Sequence, residues 1–197
     1  MKIIIAGYWG WHHYEESFSI ALERLGHTVI PFKTSIYFNG KLGRLQEIIP
    51  FNGHAVKEMN TDLLNLIEKE KPDLFFAWRC THLRSFTIKK INNKNIISVS
   101  YNNDDPFGNL HNIKLPWHHK FLWRMYLDNL QYFNFNYFYR KNNIKDSKIY
   151  KANNPSLMLP AFIPWKDFPI ELKPEELVKY KCDVVFIGHY EKDNRVN

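Results

Sequence analysis

Short apolar runs alternate along this chain with longer stretches whose apolar residues recur every three or four positions. Ile3 to Ala6 is such a run, closed by Gly7. A strand buried on both faces of a parallel sheet reads this way. From Trp11 to Leu25, Phe18, Ala21, Leu22 and Leu25 fall at i, i+3, i+4 and i+7, which predicts a helix with one apolar stripe, stopped by Gly26. His27 to Phe32 predicts a second strand, and Pro31 marks its end or a sheet edge. Residues 34–54, with Gly40, Gly43, Pro50 and Gly53, predict a long loop holding one helical turn.

The alternation then continues. Val56, Met59, Leu63, Leu66 and Ile67 predict a helix over Ala55 to Lys69, and Asp73 to Trp78 a third strand. A short helix at Ser85 to Ile91 leads to a fourth strand, Ile96 to Tyr101. Trp117 to Leu130 reads as helix, Tyr132 to Tyr139 as an aromatic strand, Ile144 to Lys151 as helix or turn, and Leu157 to Phe162 as a short strand. This order predicts an α/β chain: a Rossmann-like, mainly parallel sheet flanked by helices, with right-handed crossovers.

Residues 164–181 carry Pro164, Pro169 and Pro174 among charges and read as a linker after a domain spanning 1–163. Asp183 to His189 then repeats the grammar of the N-terminus, a short apolar strand ending in glycine. Only nine residues follow Gly188, whereas a parallel crossover needs about a dozen or more. The expectation is that 182–197 is the first strand of a second, truncated Rossmann-like domain.

Composition narrows the class. Of 197 residues, 45% are apolar and 16% aromatic, enough to build a core and exclude a disordered chain. Cys80 and Cys182 stand far apart with no C-x-x-C, which gives no zinc or disulfide framework. The Ile3–Ala6 run is shorter than a signal core, and no run reaches the ~18 apolar residues of a membrane helix. A cytoplasmic location is the expectation. The net charge is +7, and between His111 and Lys151 eight Lys and Arg stand against two Asp, so six of those charges fall in one aromatic-rich window. Such a window suits an anionic membrane surface or single-stranded nucleic acid, although no nucleic-acid motif accompanies it.

Three polar segments follow predicted strands, and ligands of open α/β sheets bind at the carboxyl ends of strands. Gly7-Tyr8-Trp9-Gly10 follows the first, with His12 and His13 beside it. It is not G-x-G-x-x-G, and either a tight turn or a ligand loop fits it. Arg79 and His82 follow the third strand; an arginine there can grip a phosphate or carboxylate, or simply pair at the surface. Asn102, Asn103, Asp104 and Asp105 follow the fourth, where they suit sugar hydroxyls, a general base, or turn chemistry before Pro106. His111, His118 and His119 fit no standard metal spacing, and no metal site is expected.

Taken in order, KIIIAGYWGWHHYEE, ALERLGHTVIPF, KPDLFFAWRCTH, SYNNDDPF and DVVFIGHYEKDNR resemble the blocks of GT-B glycosyltransferases, in a bacterial family related to spore-maturation glycosyltransferases. The resemblance implies two facing Rossmann-like domains, with the acceptor on the N-terminal one and a nucleotide-sugar donor on the other. It implies transfer of a sugar to a hydroxyl acceptor without metal or cofactor, by an enzyme of which this stretch alone is inactive. By position it implies substrate contacts from Gly7, Tyr8, Trp9, Gly10, His12, Arg79, His82, Asn102 and Asn103. Catalytic candidates are Asp104, Asp105 and His13, one of which would deprotonate the acceptor in an inverting enzyme. The alternatives are a non-catalytic glycan- or nucleotide-binding module of the same fold, and a basic membrane-surface or nucleic-acid-binding protein.

Overall fold

The computed structural model describes residues 1–111 and 117–184. Six strands form one sheet: β1 (Lys2–Gly7), β2 (Thr28–Lys33), β3 (Leu74–Trp78), β4 (Ile97–Asn102), β5 (Phe135–Phe138) and β6 (Pro155–Leu157). Their order is β2-β1-β3-β4-β5-β6, and every neighbouring pair is parallel. The chain is therefore α/β and Rossmann-like. Its strand order reverses between β1 and β3, the point where such sheets open a crevice at their carboxyl edge.

The period of two along each strand divides the core. Ile3 and Ile5 of β1, with Phe76, Trp78, Val99 and Tyr101, face α1 (Ser17–Arg24) and its Phe18 and Leu22. Ile4 and Ala6, with Phe75 and Ala77, pack on Met59, Leu63 and Ile67 of α3 (His54–Glu70) and Ile88 and Ile91 of α4 (Ser85–Asn92). Pro31 sits inside β2, tolerated because β2 is the outermost strand and needs no donor on its free side.

Residues 34–54 are more ordered than their glycines suggest. They hold a 3-10 turn at Thr34–Tyr37 and a nine-residue helix, α2 (Gly40–Ile48). Gly43 belongs to that helix because it packs on backbone: a Cβ there would stand 2.6 Å from the carbonyl carbon of Phe38. The expected helix Trp117 to Leu130 is broken into α5 (His119–Leu122) and α6 (Arg124–Asn129). The break at Trp123 lets its ring enter a cluster with Phe107, Tyr126 and Phe138.

The fifth strand starts only at Phe135 because asparagine side chains bind the backbone before it. Asn134 accepts from Ser98 N–H at 2.8 Å, and buried Asn136 donates to the carbonyls of Leu130 and Asn153 at 2.9 and 2.8 Å. The segment after β5 folds as α7 (Lys141–Ser147) and one 3-10 turn, Lys148–Tyr150.

Residues 1–161 form one compact unit, and a second begins at Phe162. The stretch expected as a linker contains a helix, α8 (Pro174–Tyr180), whose start is fixed by Lys173 N–H donating to the Glu176 carboxylate at 2.9 Å. Most of the expected strand Asp183 to His189 lies outside the described residues. Among the described residues no helix is long and apolar enough to cross a membrane.

Candidate functional site

The loop after β1 is built from glycine and one buried acid. Trp9 takes a left-handed φ of 58°, unusual for a side chain of its size. The Glu15 carboxylate tucks beneath, accepting from Tyr8 N–H at 2.8 Å. A Cβ on Gly7 would overlap that carboxylate, and one on Gly10 would overlap the Tyr8 ring, so each glycine leaves room for a neighbouring side chain. The loop's carbonyls are also taken. Thr34 donates to Gly7 O at 3.0 Å and Ser35 to Tyr8 O at 2.9 Å. Trp9 spends its indole N–H on Ile5 O at 3.2 Å and packs against the core below, while Tyr8 and Trp11 are the exposed rings.

Glu15 is only 2% exposed. Burial pushes its carboxyl above the ordinary range, and the loop's backbone donors and the Arg79 charge pull it partly back. Its Oε2 has no hydrogen-bond partner among the described residues.

The loop after β3 places Arg79 at a φ of 47°, a second left-handed non-glycine residue at this edge. Its Nε donates to the Asp104 carboxylate, and its guanidinium lies 5.3 Å from the centre of the Trp123 ring. A strand further, Asn102 accepts from Asp104 N–H at 2.9 Å and is fully buried. Asn102 Nδ2 and Asn103 Oδ1 are buried without a well-formed hydrogen bond among the described residues, although the Asn102 side chain reaches the Tyr126 hydroxyl. Nearly all buried polar atoms in native proteins are paired, so unpaired atoms on two successive residues at a strand end are a feature to account for.

The remaining candidates fall differently. Asp105 Oδ1 accepts from Phe107 N–H at 3.0 Å and from Asn143 Nδ2 at 2.8 Å, which makes it the turn former that ties β4's loop to α7. His13 is exposed, its ring 4.2 Å from that of Tyr14. His12 pairs through Nδ1 with Glu16 one helical turn on. His82, expected at the cleft, is instead a core residue. Its Nε2 lies 3.1 and 3.0 Å from the carbonyls of Gln46 and Glu47 and must carry the hydrogen, and Thr81 Oγ1 bonds Nδ1 at 2.9 Å. Burial lowers its pKa to about 4 and keeps the ring neutral. Its task is to pin α2 to the β3 loop.

Glu15 and Trp123 belong to this edge although the sequence does not single them out. The available signal for Glu15 was an acid at the opening of a helix whose preceding loop is all glycine and aromatic. No group of three or more metal-binding side chains occurs among the described residues.

No protein-family model matches the chain, and no curated protein matches it in sequence. Among solved structures it is similar to Glycyrrhiza uralensis UGT73P12 complexed with glycyrrhetinic acid 3-O-monoglucuronide, at a TM-score of 0.44 and 10% identity, over 78% of this chain and 41% of that one. It is also similar to a UDP-glucosyltransferase from Polygonum tinctorium capable of glucosylating indoxyl, in complex with 3,4-dichloroaniline, at a TM-score of 0.45 and 7% identity, over 92% of this chain and 57% of that one. The chain thus spans about half the length of these structures. Both likenesses are weak, and the fold class rests on the strand order itself.

Proposed function

We propose that residues 1–161 are the acceptor-side domain of a GT-B glycosyltransferase that moves a sugar from a nucleotide-sugar donor to a hydroxyl. The observation that carries this reading is the convergence, at the carboxyl edge of the sheet, of the 7–10 loop, the Arg79–Asp104 pair and the orphaned carboxamide atoms of Asn102 and Asn103. Carboxamides offer one donor and one acceptor side by side, the pattern a hydroxyl needs. The ordered sequence blocks resembling spore-maturation glycosyltransferases support the same reading. The donor domain would open at about residue 182, with the DVVFIG strand. Donor recognition and catalysis would then need both domains, on the cytoplasmic side, with neither metal nor cofactor.

As proton acceptor His12, expected from the sequence as a substrate contact, is favoured over His13. Its Nδ1 faces the Glu16 carboxylate, which selects the tautomer that keeps the hydrogen on Nδ1 and turns the lone pair of Nε2 to a substrate. Asp104 would instead hold Arg79 in place, and Asp105 would hold the turn.

The test is a titration of the ¹⁵N-labelled chain with a panel of saccharides and other hydroxyl acceptors. Saturable shifts of the Asn102 and Asn103 side-chain amides are expected. Silence towards every acceptor, together with saturable binding of oligonucleotides, would replace the reading with a nucleic-acid one. In a polypeptide carrying both domains, His12→Ala should lower kcat at least tenfold with KM little changed.

One observation favours an added membrane contact. Trp117 is 65% exposed and Phe121 45%, their rings 6.2 Å apart, next to Lys120 and Arg124. Binding to anionic vesicles that is lost in Trp117→Ala would support it.

A further inference from the structure

In parallel α/β sheets the loop after the first strand is the usual place for a phosphate, because its backbone N–H groups turn toward the crevice and glycine lets a ligand approach. In this chain the loop already holds an anionic group of its own. Glu15 reaches back from the following helix, and its Oε1 takes the Tyr8 N–H at 2.8 Å. Gly7 is bare so that the carboxylate, not a ligand, can lie against it. Thr34 and Ser35 bind the loop's carbonyls from the other side. The loop therefore keeps its shape with nothing bound. The second anion-binding group at this edge, Arg79, has its Nε held and its charge offset by an internal carboxylate, that of Asp104.

We propose that Glu15 is a built-in occupant of the anion position in the first loop, and that with Arg79 held by Asp104 it closes this end of the sheet to phosphate, so that ligands here are gripped through uncharged groups. The proposal is independent of the transferase reading, since it concerns only which chemical groups the loop accepts. It assigns Glu15 a positioning role and a role in specificity. The acid need not touch substrate to set what the crevice binds. Burial raises the carboxyl's proton affinity, and the loop amides and the Arg79 charge lower it in part, the direction expected of donors aimed at an anion.

The experiment follows the Tyr8 and Trp9 backbone amides and the Arg79 Nε by NMR in the full chain, while inorganic phosphate or acetate replaces chloride at constant ionic strength. In the wild type none of the three resonances should titrate. In Glu15→Ala the Tyr8 amide should move upfield as its charge-assisted bond is lost, and acetate or phosphate should return it saturably towards the wild-type position. In Asp104→Asn the Arg79 Nε should titrate with phosphate. A wild-type Tyr8 amide that titrates with phosphate as strongly as in Glu15→Ala would overturn the proposal, and so would a folded Glu15→Ala chain blind to both anions. Should Glu15→Ala fail to fold, Glu15→Gln and Asp104→Asn decide. Glu15→Gln keeps the shape and the accepting oxygen, so a loop still closed to phosphate supports the proposal and an open one defeats it. Equal phosphate binding at Arg79 in Asp104→Asn and wild type also defeats it.

Discussion

Arg79 donates through Nε to the carboxylate of Asp104, joining the loop after β3 to the loop after β4 across the edge of the sheet. Both side chains are close to half exposed, so solvent screens the pair and its direct contribution to stability is small, about 0–1 kcal/mol. The arrangement nevertheless persists against a backbone that disfavours it, since Arg79 holds a φ of 47°.

That conflict gives the first prediction. Glycine is free of the left-handed penalty, worth about 1–2 kcal/mol for other residues. Arg79→Gly should therefore leave the thermal midpoint unchanged or raise it, with the affinity for an uncharged ligand at this edge little changed. Calorimetric melting and a ligand titration on the same sample check it. A large fall in midpoint would mean that Arg79 is there for the fold.

Glu15 and Gly7 should couple. Gly7→Ala forces a Cβ into the Glu15 carboxylate, and overpacking of this kind costs about 1–3 kcal/mol. Glu15→Ala removes the three atoms nearest that Cβ. The double variant Gly7→Ala/Glu15→Ala should be more stable than the sum of the single effects by about 1 kcal/mol or more, read by urea denaturation. Additive effects would show that the two residues do not share space.

His82 makes stability depend on pH. Its folded pKa, about 4, lies below the ordinary 6.5. Between those values the unfolded chain binds a proton that the folded chain refuses. The neutral buried ring thus contributes stability that is fully present above about pH 6.5 and drains away as pH falls towards 4, by roughly 3 kcal/mol in all. The difference in unfolding free energy between wild type and His82→Gln, measured across this range, isolates the effect from the opposite slope of Glu15. A flat difference would contradict it.

Asn60 is the tie beneath the β3–α4 connection. It donates to the carbonyls of Val56 and His82 at 2.7 and 2.9 Å and accepts from Arg84 N–H and Thr87 Oγ1 at 2.9 and 2.7 Å. Asn60→Ala leaves several buried groups unpaired and should cost about 3 kcal/mol. Hydrogen exchange should show the Arg84 amide losing protection first.

Much of this architecture was legible in the sequence because it rests on periodicity. Ile3 to Ala6 and Leu74 to Trp78 can hardly be anything but inner parallel strands, and the three polar segments did fall at strand ends. What stayed hidden depends on partners far away in sequence. His82 follows a strand end like any cleft residue, yet its ring turns inward to the carbonyls of α2, a helix whose two glycines argue against it. Glu15 looks like an ordinary first-turn acid until the loop above it folds back. The asparagines carry no periodic signal in the sequence. Asn92, Asn129, Asn136 and Asn153 in fact bind backbone carbonyls that no strand or helix satisfies.

The two thiols complete the picture. Cys80 is buried, with Sγ donating to Ala6 O at 3.1 Å between β1 and β3, and burial pushes its thiol far from ionisation, while Cys182 is exposed. A maleimide should therefore label Cys182 at once and Cys80 only in molecules in which β1 and β3 have parted. The second labelling rate is a clock for the opening of the sheet at the crevice, running in the unmodified protein with no engineered probe.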